Sequence, residues 1–439
     1  MTFLRNVLLT FISGVGMTLI GLFTGVLLAR SLGPTGRGLM TTVMVWPAVL
    51  VWASGFSLGF ANIHFASAEP SMRRHLFANS LWAALVLGLG AGIVAAYVLP
   101  IFVRLTPSQH LFLMISLVTL PLGLWSDYAV SLIYGTGRFD RLGLVRVVAP
   151  LLTALALLLL WATHSISVAT AIVASWMGGW SQIAVTLSFL WRDGYASFRP
   201  NWPLFRRSLA YSSRIHIGTL ANIANGRLDQ LLMTLLVAPK ALGLYAFAVT
   251  FSEMLRQGTG SISTVLFPRV SAETCDAEKR DIASRAVRWT LLIGSICAVF
   301  LGVAAQYFVV IVWGSRFLEA VPTIYVLLPG TVALGVASTM TVSLNGAGKP
   351  GTGTVAELAS LAVMVPLLWL LLPRMGIFGA GLASTCGYTV NCIVTTLYFA
   401  RTFGKDSLLD VRPSQRDWAD VRSAVRRVRG RLQPETSKP

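Results

Sequence analysis

Apolar stretches of about twenty or more residues recur along the whole chain, separated by short segments that hold most of the charge. At 1.5 Å per residue, each stretch is long enough to cross about 30 Å of hydrocarbon as a helix. The pattern predicts twelve transmembrane spans, near 7–29, 39–66, 77–103, 111–134, 146–163, 168–191, 213–237, 242–268, 289–313, 320–345, 354–373 and 377–400. The run from Val7 to Ala29 is too long for the apolar region of a signal peptide and lacks a small-x-small cleavage site, so it reads as the first span. The expected fold class is an all-α polytopic membrane protein.

The spans form a repeat. Shifting the chain by 205 residues lays Leu32-Gly33-Pro34 and Gly38-Leu39, after the first span, on Val237-Ala238-Pro239 and Gly243-Leu244, after the seventh. Gly135-Thr136-Gly137-Arg138 after the fourth span matches Gly346-Ala347-Gly348-Lys349 after the tenth at an offset of 211. Six spans separate the copies, so both halves cross the membrane in the same sense and the repeat is parallel, not inverted. The expected organisation is one lobe over 1–191, a linker over 192–212 carrying Pro200 and Pro203, a second lobe over 213–400, and a basic tail over 401–439. In the tail, Ser414 and Asp417 mark a helix start, and Trp418, Val421, Val425, Val428 and Leu432 share a face. Arg422, Arg426, Arg429 and Arg431 lie largely off that face. The tail reads either as an amphipathic helix on an anionic leaflet or as a solvated basic segment.

Composition fits this picture. With 55% hydrophobic and 12% charged residues, and a mean hydropathy of +0.71, the apolar excess must face lipid. The net charge of +18 would point to nucleic acid in a soluble protein. Here the charge is sorted by side: alternate connections collect 27 Lys and Arg on one side against 6 on the other. Basic loops stay in the cytoplasm, which puts both termini there, in the inner membrane. The asymmetry accounts for the high pI without a nucleic-acid partner and favours anionic lipids. The four cysteines show no C-x-x-C spacing, so neither a disulfide framework nor a metal site is indicated, and no cofactor motif is present.

Two motif matches mislead. Gly55-Phe-Ser-Leu-Gly59 fits the serine-hydrolase pattern but is expected to lie inside the second span, where small residues serve close helix packing. Gly346-Ala-Gly-Lys-Pro-Gly351 fits a dinucleotide fingerprint, yet no strand precedes it, and it reads as a glycine-rich turn. No residues for an enzymatic reaction are identified.

Ionisable residues deep in apolar spans mark function by default. The strongest group lies on spans seven and eight. Arg227 and Glu253 are each 13 residues from Lys240 at the turn, which predicts a shared depth of about 15 Å. Asn222, Asn225 and Asp229 share a face at i, i+3, i+7 spacing, with Arg227 directed elsewhere. Thr250, Glu253, Arg256, Gln257 and Thr264 form a stripe on span eight. At the 205 offset Arg227, Asp229, Glu253 and Arg256 correspond to Leu22, Thr24, Ala48 and Val51, so the charge is concentrated in the second lobe. Two readings remain: a buried ion network holding the hairpin, or arginines that reach a central cavity while carboxylates position them or exchange protons. Asp127 on span four and His64 on span two are further cavity or coupling candidates, with a structural role the simpler reading of each.

Phe23-Thr-Gly-Val-Leu-Leu-Ala-Arg-Ser-Leu-Gly-Pro-Thr-Gly-Arg-Gly-Leu39, Arg227-Leu-Asp-Gln-Leu-Leu232, Leu242-Gly-Leu-Tyr-Ala246 and Leu266-Phe-Pro-Arg269 resemble the polysaccharide-export flippases of the multidrug/oligosaccharidyl-lipid/polysaccharide superfamily. The resemblance extends to about residue 405 and implies two lobes related by a pseudo-twofold axis along the membrane normal. It implies a transporter, not an enzyme, that moves an isoprenoid diphosphate-linked oligosaccharide to the outer leaflet by alternating access. Arg227 and Arg256 would then bind the diphosphate, and the partners would extend to glycan polymerase and glycosyltransferases. The competing readings are a cation-coupled drug or metabolite exporter of the same fold and a non-transporting scaffold of a glycan-assembly complex.

Overall fold

The computed structural model describes residues 2–103, 106–273, 275–349, 351–404 and 407, with the backbone alone for 1–13 where described, 15, 257–265, 267–269, 271 and 272. The tail helix expected over 413–439 and the Gln257 side chain lie outside the described residues.

The apolar runs become twelve crossings, although helix and crossing do not correspond one to one. α1 (Thr2–Ser54) contains two crossings that fold back at Gly33, whose φ of +66° directly precedes Pro34. Proline supplies no N–H to continue the helix, and glycine accepts the left-handed backbone of the turn. α2 (Leu58–Ala68) completes the second crossing and α3 (Arg73–Phe102) makes the third. α4 (Pro107–Val118) and α5 (Leu120–Gly135) form one span bent by 46°. α6 (Phe139–Ala162), α7 (Val168–Arg192), α8 (Trp202–Leu236), α9 (Pro239–Ala272), α10 (Asp276–Val312) and α11 (Val321–Gly346) follow. α12 (Gly351–Phe403) again holds two crossings, folded at Gly376. Spans seven and eight are thus α8 and α9. Below, the turn end is the end of the bundle with Gly33, the α8–α9 turn and Gly376; the terminal end carries the α7–α8 connection and Phe403.

The parallel repeat is written into the backbone. Left-handed residues recur in equivalent connections: Gly137 with Gly348, His164 with Gly376, and Gly194 with Gly404, at offsets of 210 to 212. The first pair belongs to the turn legible in the sequence; the other two share no residue motif. One core gathers Leu58, Phe65, Leu76, Leu124, Tyr128 and Leu142 in the first half of the chain. Another gathers Tyr245, Phe247, Phe251, Phe317, Ile324 and Leu368 in the second half. Ala29 of α1 joins the second core, so the first crossing packs across the boundary.

α8 begins at Trp202, inside the stretch expected as linker, and the connection narrows to 193–201. Asn201 caps α8 by accepting from the Leu204 N–H at 3.0 Å. Its backbone exchanges two hydrogen bonds with the Asn79 side chain, of 3.0 and 2.8 Å. Arg207 pairs with Glu69 at 3.0 Å, so the first turns of α8 belong to the packing of α2 and α3.

The Gly55-Phe-Ser-Leu-Gly59 segment is not the continuous helix expected. Phe56 and Ser57 both have positive φ, of 46° and 54°, and break the second crossing between α1 and α2. A break at membrane depth frees carbonyls that lipid cannot satisfy. Tyr128 donates to the Gly55 carbonyl at 2.8 Å, and the His216 ring of α8 packs against the break. His216 Nδ1 lies 3.1 Å from Ser57 Oγ, and Phe56 stacks on the ring. Ser57 and His216 therefore have a structural account, as the groups that mend the break.

Candidate functional site: a polar cavity between the lobes

α8 and α9 reach across a membrane in length but are absent from the helices apolar enough to do so by composition. Their polar residues face a cavity of about 720 Å³, within the range of small-molecule sites. α1 walls it from the first half of the chain; α8, α9, α11 and α12 wall it from the second.

Arg227, Arg256, Glu253, Asn222 and Asn225 all line this cavity, as do Thr250 and Gln230. The sequence expectation that Arg227 points away from the asparagine face is corrected: the cavity embraces a wide arc of α8 holding Asn222, Gly226, Arg227 and Gln230 together. Asp229 leaves the cavity. It lies nearer the turn end, 1% exposed, where α9 and α12 close over it. Its Oδ2 accepts from Tyr245 at 2.5 Å and from Ser384 at 3.3 Å, and its Oδ1 accepts from the Gln230 N–H at 2.6 Å. A buried carboxylate needs such donors in place of water.

The Tyr245–Asp229 bond also sets the register of α8 against α9. Residues level across the pair sum to about 474, which places Glu253 near Ala221, not near Arg227. Glu253 therefore sits about 9 Å nearer the terminal end than Arg227, at 1.5 Å per residue, and the shared depth expected from the turn is corrected. Arg256 and Glu253 approach only to 3.8 Å, both partly exposed. Arg227 donates to Gln230 at 3.4 Å and makes no direct salt bridge among the described residues, although its charge acts on the nearby Asp229 carboxylate. Of the four charged residues, only Glu253 and Arg256 pair directly; Asp229 takes its hydrogen bonds from hydroxyls and an amide and feels Arg227 through its charge, and Arg227 faces the cavity.

Asp127 and His64 do not line the cavity. Asp127 lies beside Ser131 against Gly59, in the contact between α2 and α5. His64 stacks on Tyr211 of α8 with ring centroids 4.6 Å apart.

The cavity also exposes residues that the sequence reading passed over. Arg37, in the connection between the first two expected spans, lines the wall from α1 and donates to the Gly25 carbonyl at 3.1 Å. Glu357 of α12 accepts from Asn222 at 2.9 Å and, through its other oxygen, from Asn225 at 2.5 Å. Ser360 completes the set by donating to Asn225 at 2.8 Å. An acid inside the eleventh apolar stretch was the available signal for Glu357; nothing local distinguishes Arg37 from a loop arginine. Cations thus stand at three depths, Arg37 near the turn end, Arg227 midway and Arg256 toward the terminal end, with Trp52 and Tyr388 on the walls between.

A twelve-span, two-lobed bundle with a polar cavity between the lobes is the build of a membrane transporter. The chain belongs to the polysaccharide biosynthesis protein family, whose model matches residues 3–273, more than half of its length. Among solved structures, it resembles the lipid II flippase MurJ in an inward closed conformation, with a TM-score of 0.74 and 14% identity over 93% of this chain and 91% of that one. An inward-facing multidrug resistance MATE transporter of the MOP superfamily gives a TM-score of 0.73 and 14% identity, over 89% and 95% of the two chains. These likenesses concern the fold. An uncharacterized membrane protein of Methanocaldococcus jannaschii is 27% identical over 195 residues, 43% of this chain. That match spans only 38% of the relative's length.

Proposed function

We propose that the protein flips an isoprenoid diphosphate-linked oligosaccharide from the cytoplasmic to the outer leaflet of the inner membrane by alternating access, for surface polysaccharide export. The observation that carries this reading is Arg227: a guanidinium on a cavity wall in the middle of the bundle, hydrogen-bonded to Gln230 and in direct contact with no carboxylate among the described residues. Desolvating an arginine is costly unless an anion compensates it, and a diphosphate offers oxygens to several such donors at once.

In this reading the terminal end faces the cytoplasm, in keeping with the basic connections there. The diphosphate engages Arg256 on entry, then Arg227, and Arg37 stands nearest the exit. The glycan occupies the polar cavity while the lipid tail stays in the bilayer between the lobes. Glycan polymerase and glycosyltransferases would supply and consume the cargo, and anionic lipids would surround the basic face.

The test is flipping of a fluorescent isoprenoid diphosphate-linked oligosaccharide in proteoliposomes, read by quenching of the probe exposed on one leaflet. The expected result is protein-dependent flipping that falls in Arg227→Gln and Arg256→Gln at matched protein content. Efflux of cationic drugs without flipping would favour the exporter, in which Glu253 and Glu357 would be the working groups. Absence of both activities would favour the scaffold.

A further inference from the structure

Trp52 is 49% exposed and lines the cavity from the α1 wall. A large indole is ordinarily buried against protein or turned to lipid, so one presented to a polar cavity is open to a ligand. Its depth follows from two ties between α1 and α8. Trp46 Nε1 donates to Thr234 Oγ1 at 3.1 Å toward the turn end, and Ser57 Oγ lies 3.1 Å from His216 Nδ1 toward the terminal end. Midway between these ties, Trp52 falls level with the Asn222–Gly226 turn of α8.

That turn carries a second feature. The Glu357 carboxylate is held by Asn222 on one oxygen and Asn225 on the other, and Asn225 is itself fixed by Ser360. Both Asn222 and Glu357 line the cavity. Each carboxylate oxygen keeps a lone pair beyond the amide that holds it, so Glu357 presents aligned acceptors without losing its own position. An aromatic face on one wall and a fixed carboxylate–amide pair on the other suit a ring that is apolar on its C–H faces and hydroxylated at its rim. The C–H faces of a pyranose are weakly positive and complement the negative face of the indole; its hydroxyls donate to a carboxylate and accept from an amide. An isoprenoid chain would find no use for the carboxylate, and a bare phosphate would be repelled by it.

We propose that Trp52 and Glu357, the latter held by Asn222 and Asn225, form a subsite for a pyranose ring of the cargo, beside Arg227 and distinct from the arginines that take the diphosphate. The proposal rests on the flippase reading and assigns the sugar-recognising part of the same cavity. Arg227 follows the Asn222–Gly226 turn directly, so a sugar against Trp52 and a diphosphate on Arg227 are as close as a glycosyl diphosphate linkage requires.

The full-length protein in lipid nanodiscs is titrated calorimetrically with two short-chain probes, citronellyl diphosphate and citronellyl diphosphate carrying one glucose. The wild type is expected to bind the glucosylated probe about three- to tenfold more tightly, the range of one aromatic contact with associated hydrogen bonds. Trp52→Leu abolishes that preference while keeping affinity for the sugar-free probe. Trp52→Phe, which retains an aromatic face and guards against a folding defect in Trp52→Leu, keeps most of it. Glu357→Gln reduces it, and Arg227→Gln weakens both probes alike. A preference that survives Trp52→Leu, or equal binding of both probes by the wild type, overturns the subsite and leaves the diphosphate reading standing. Binding of neither probe overturns both.

Discussion

Gly38 and Gly243, equivalent residues of the repeat 205 positions apart, pack reciprocally at the turn end. A Cβ at Gly38 would lie 1.7 Å from the Pro239 carbonyl oxygen, and a Cβ at Gly243 would lie 1.8 Å from that of Pro34. Since Pro34 and Pro239 are also repeat mates, each glycine meets the partner of the other's proline, the signature of a contact across a twofold axis. The backbones of α1 and α9 touch there as only glycine permits. In the proposed alternating-access cycle, this contact at the turn end would have to separate for the cavity to open there.

Gly38→Ala or Gly243→Ala is therefore expected to force the two backbones apart, at a cost of about 1–3 kcal/mol in the closed arrangement. A cysteine placed at Thr24 should react faster with a membrane-impermeant maleimide added from the outer side in either variant. Unchanged labelling would show that the contact does not gate the cavity.

Arg30 makes a second bond across the same end. Its Nε donates to the Val312 carbonyl at 2.8 Å and its guanidinium also donates to Ile311, capping the C-terminus of α10 where the last carbonyls have no helical partner. Arg30→Ala should lower stability by about 1–3 kcal/mol, read as a fall in melting temperature in detergent, and Arg30→Lys should recover part of it. A melting temperature indifferent to Arg30→Ala would refute the cap.

Because Arg227 makes no direct salt bridge among the described residues and Asp229 draws its hydrogen bonds from other groups, Arg227→Gln should leave abundance and melting close to wild type. Flipping should fall about ten- to a hundredfold, the loss of one charge-assisted contact. The compensated variant Arg227→Gln with Glu253→Gln should transport no better. Near-normal flipping in that double variant, measured at matched membrane content, would remove Arg227 from the site.

Asp229 should behave in the opposite way. Tyr245→Phe and Asp229→Asn each disturb a buried carboxylate whose partners are Tyr245, Ser384 and the Gln230 amide. A loss of about 1–3 kcal/mol and reduced abundance are expected, with flipping per molecule retained. Full abundance with abolished flipping in Asp229→Asn would instead assign Asp229 to energy coupling.

The linear pattern carried the crossings, their parallel repeat and the polar character of the seventh and eighth, because length, hydropathy and turn residues such as Gly137 and Gly348 are local properties. It also placed Arg227, Arg256 and Glu253 on cavity-facing helices, since charge at that depth has few other places to go. Facing was harder to read. In lipid, a helix is apolar toward its neighbours and toward the bilayer alike, so the period that separates core from surface in a soluble protein is nearly silent. Which side of α8 meets the cavity, that Asp229 instead turns to Tyr245 and Ser384, and that Arg37, Trp52 and Glu357 complete the walls were decided by how the helices pair. Those pairings hang on contacts more than a hundred residues apart in sequence, such as Gly38 with Pro239 and Asn222 with Glu357. The break at Phe56 and Ser57 was decided in the same way: a run with helical composition opens there against two other helices, where Tyr128 donates to the Gly55 carbonyl and His216 meets Ser57.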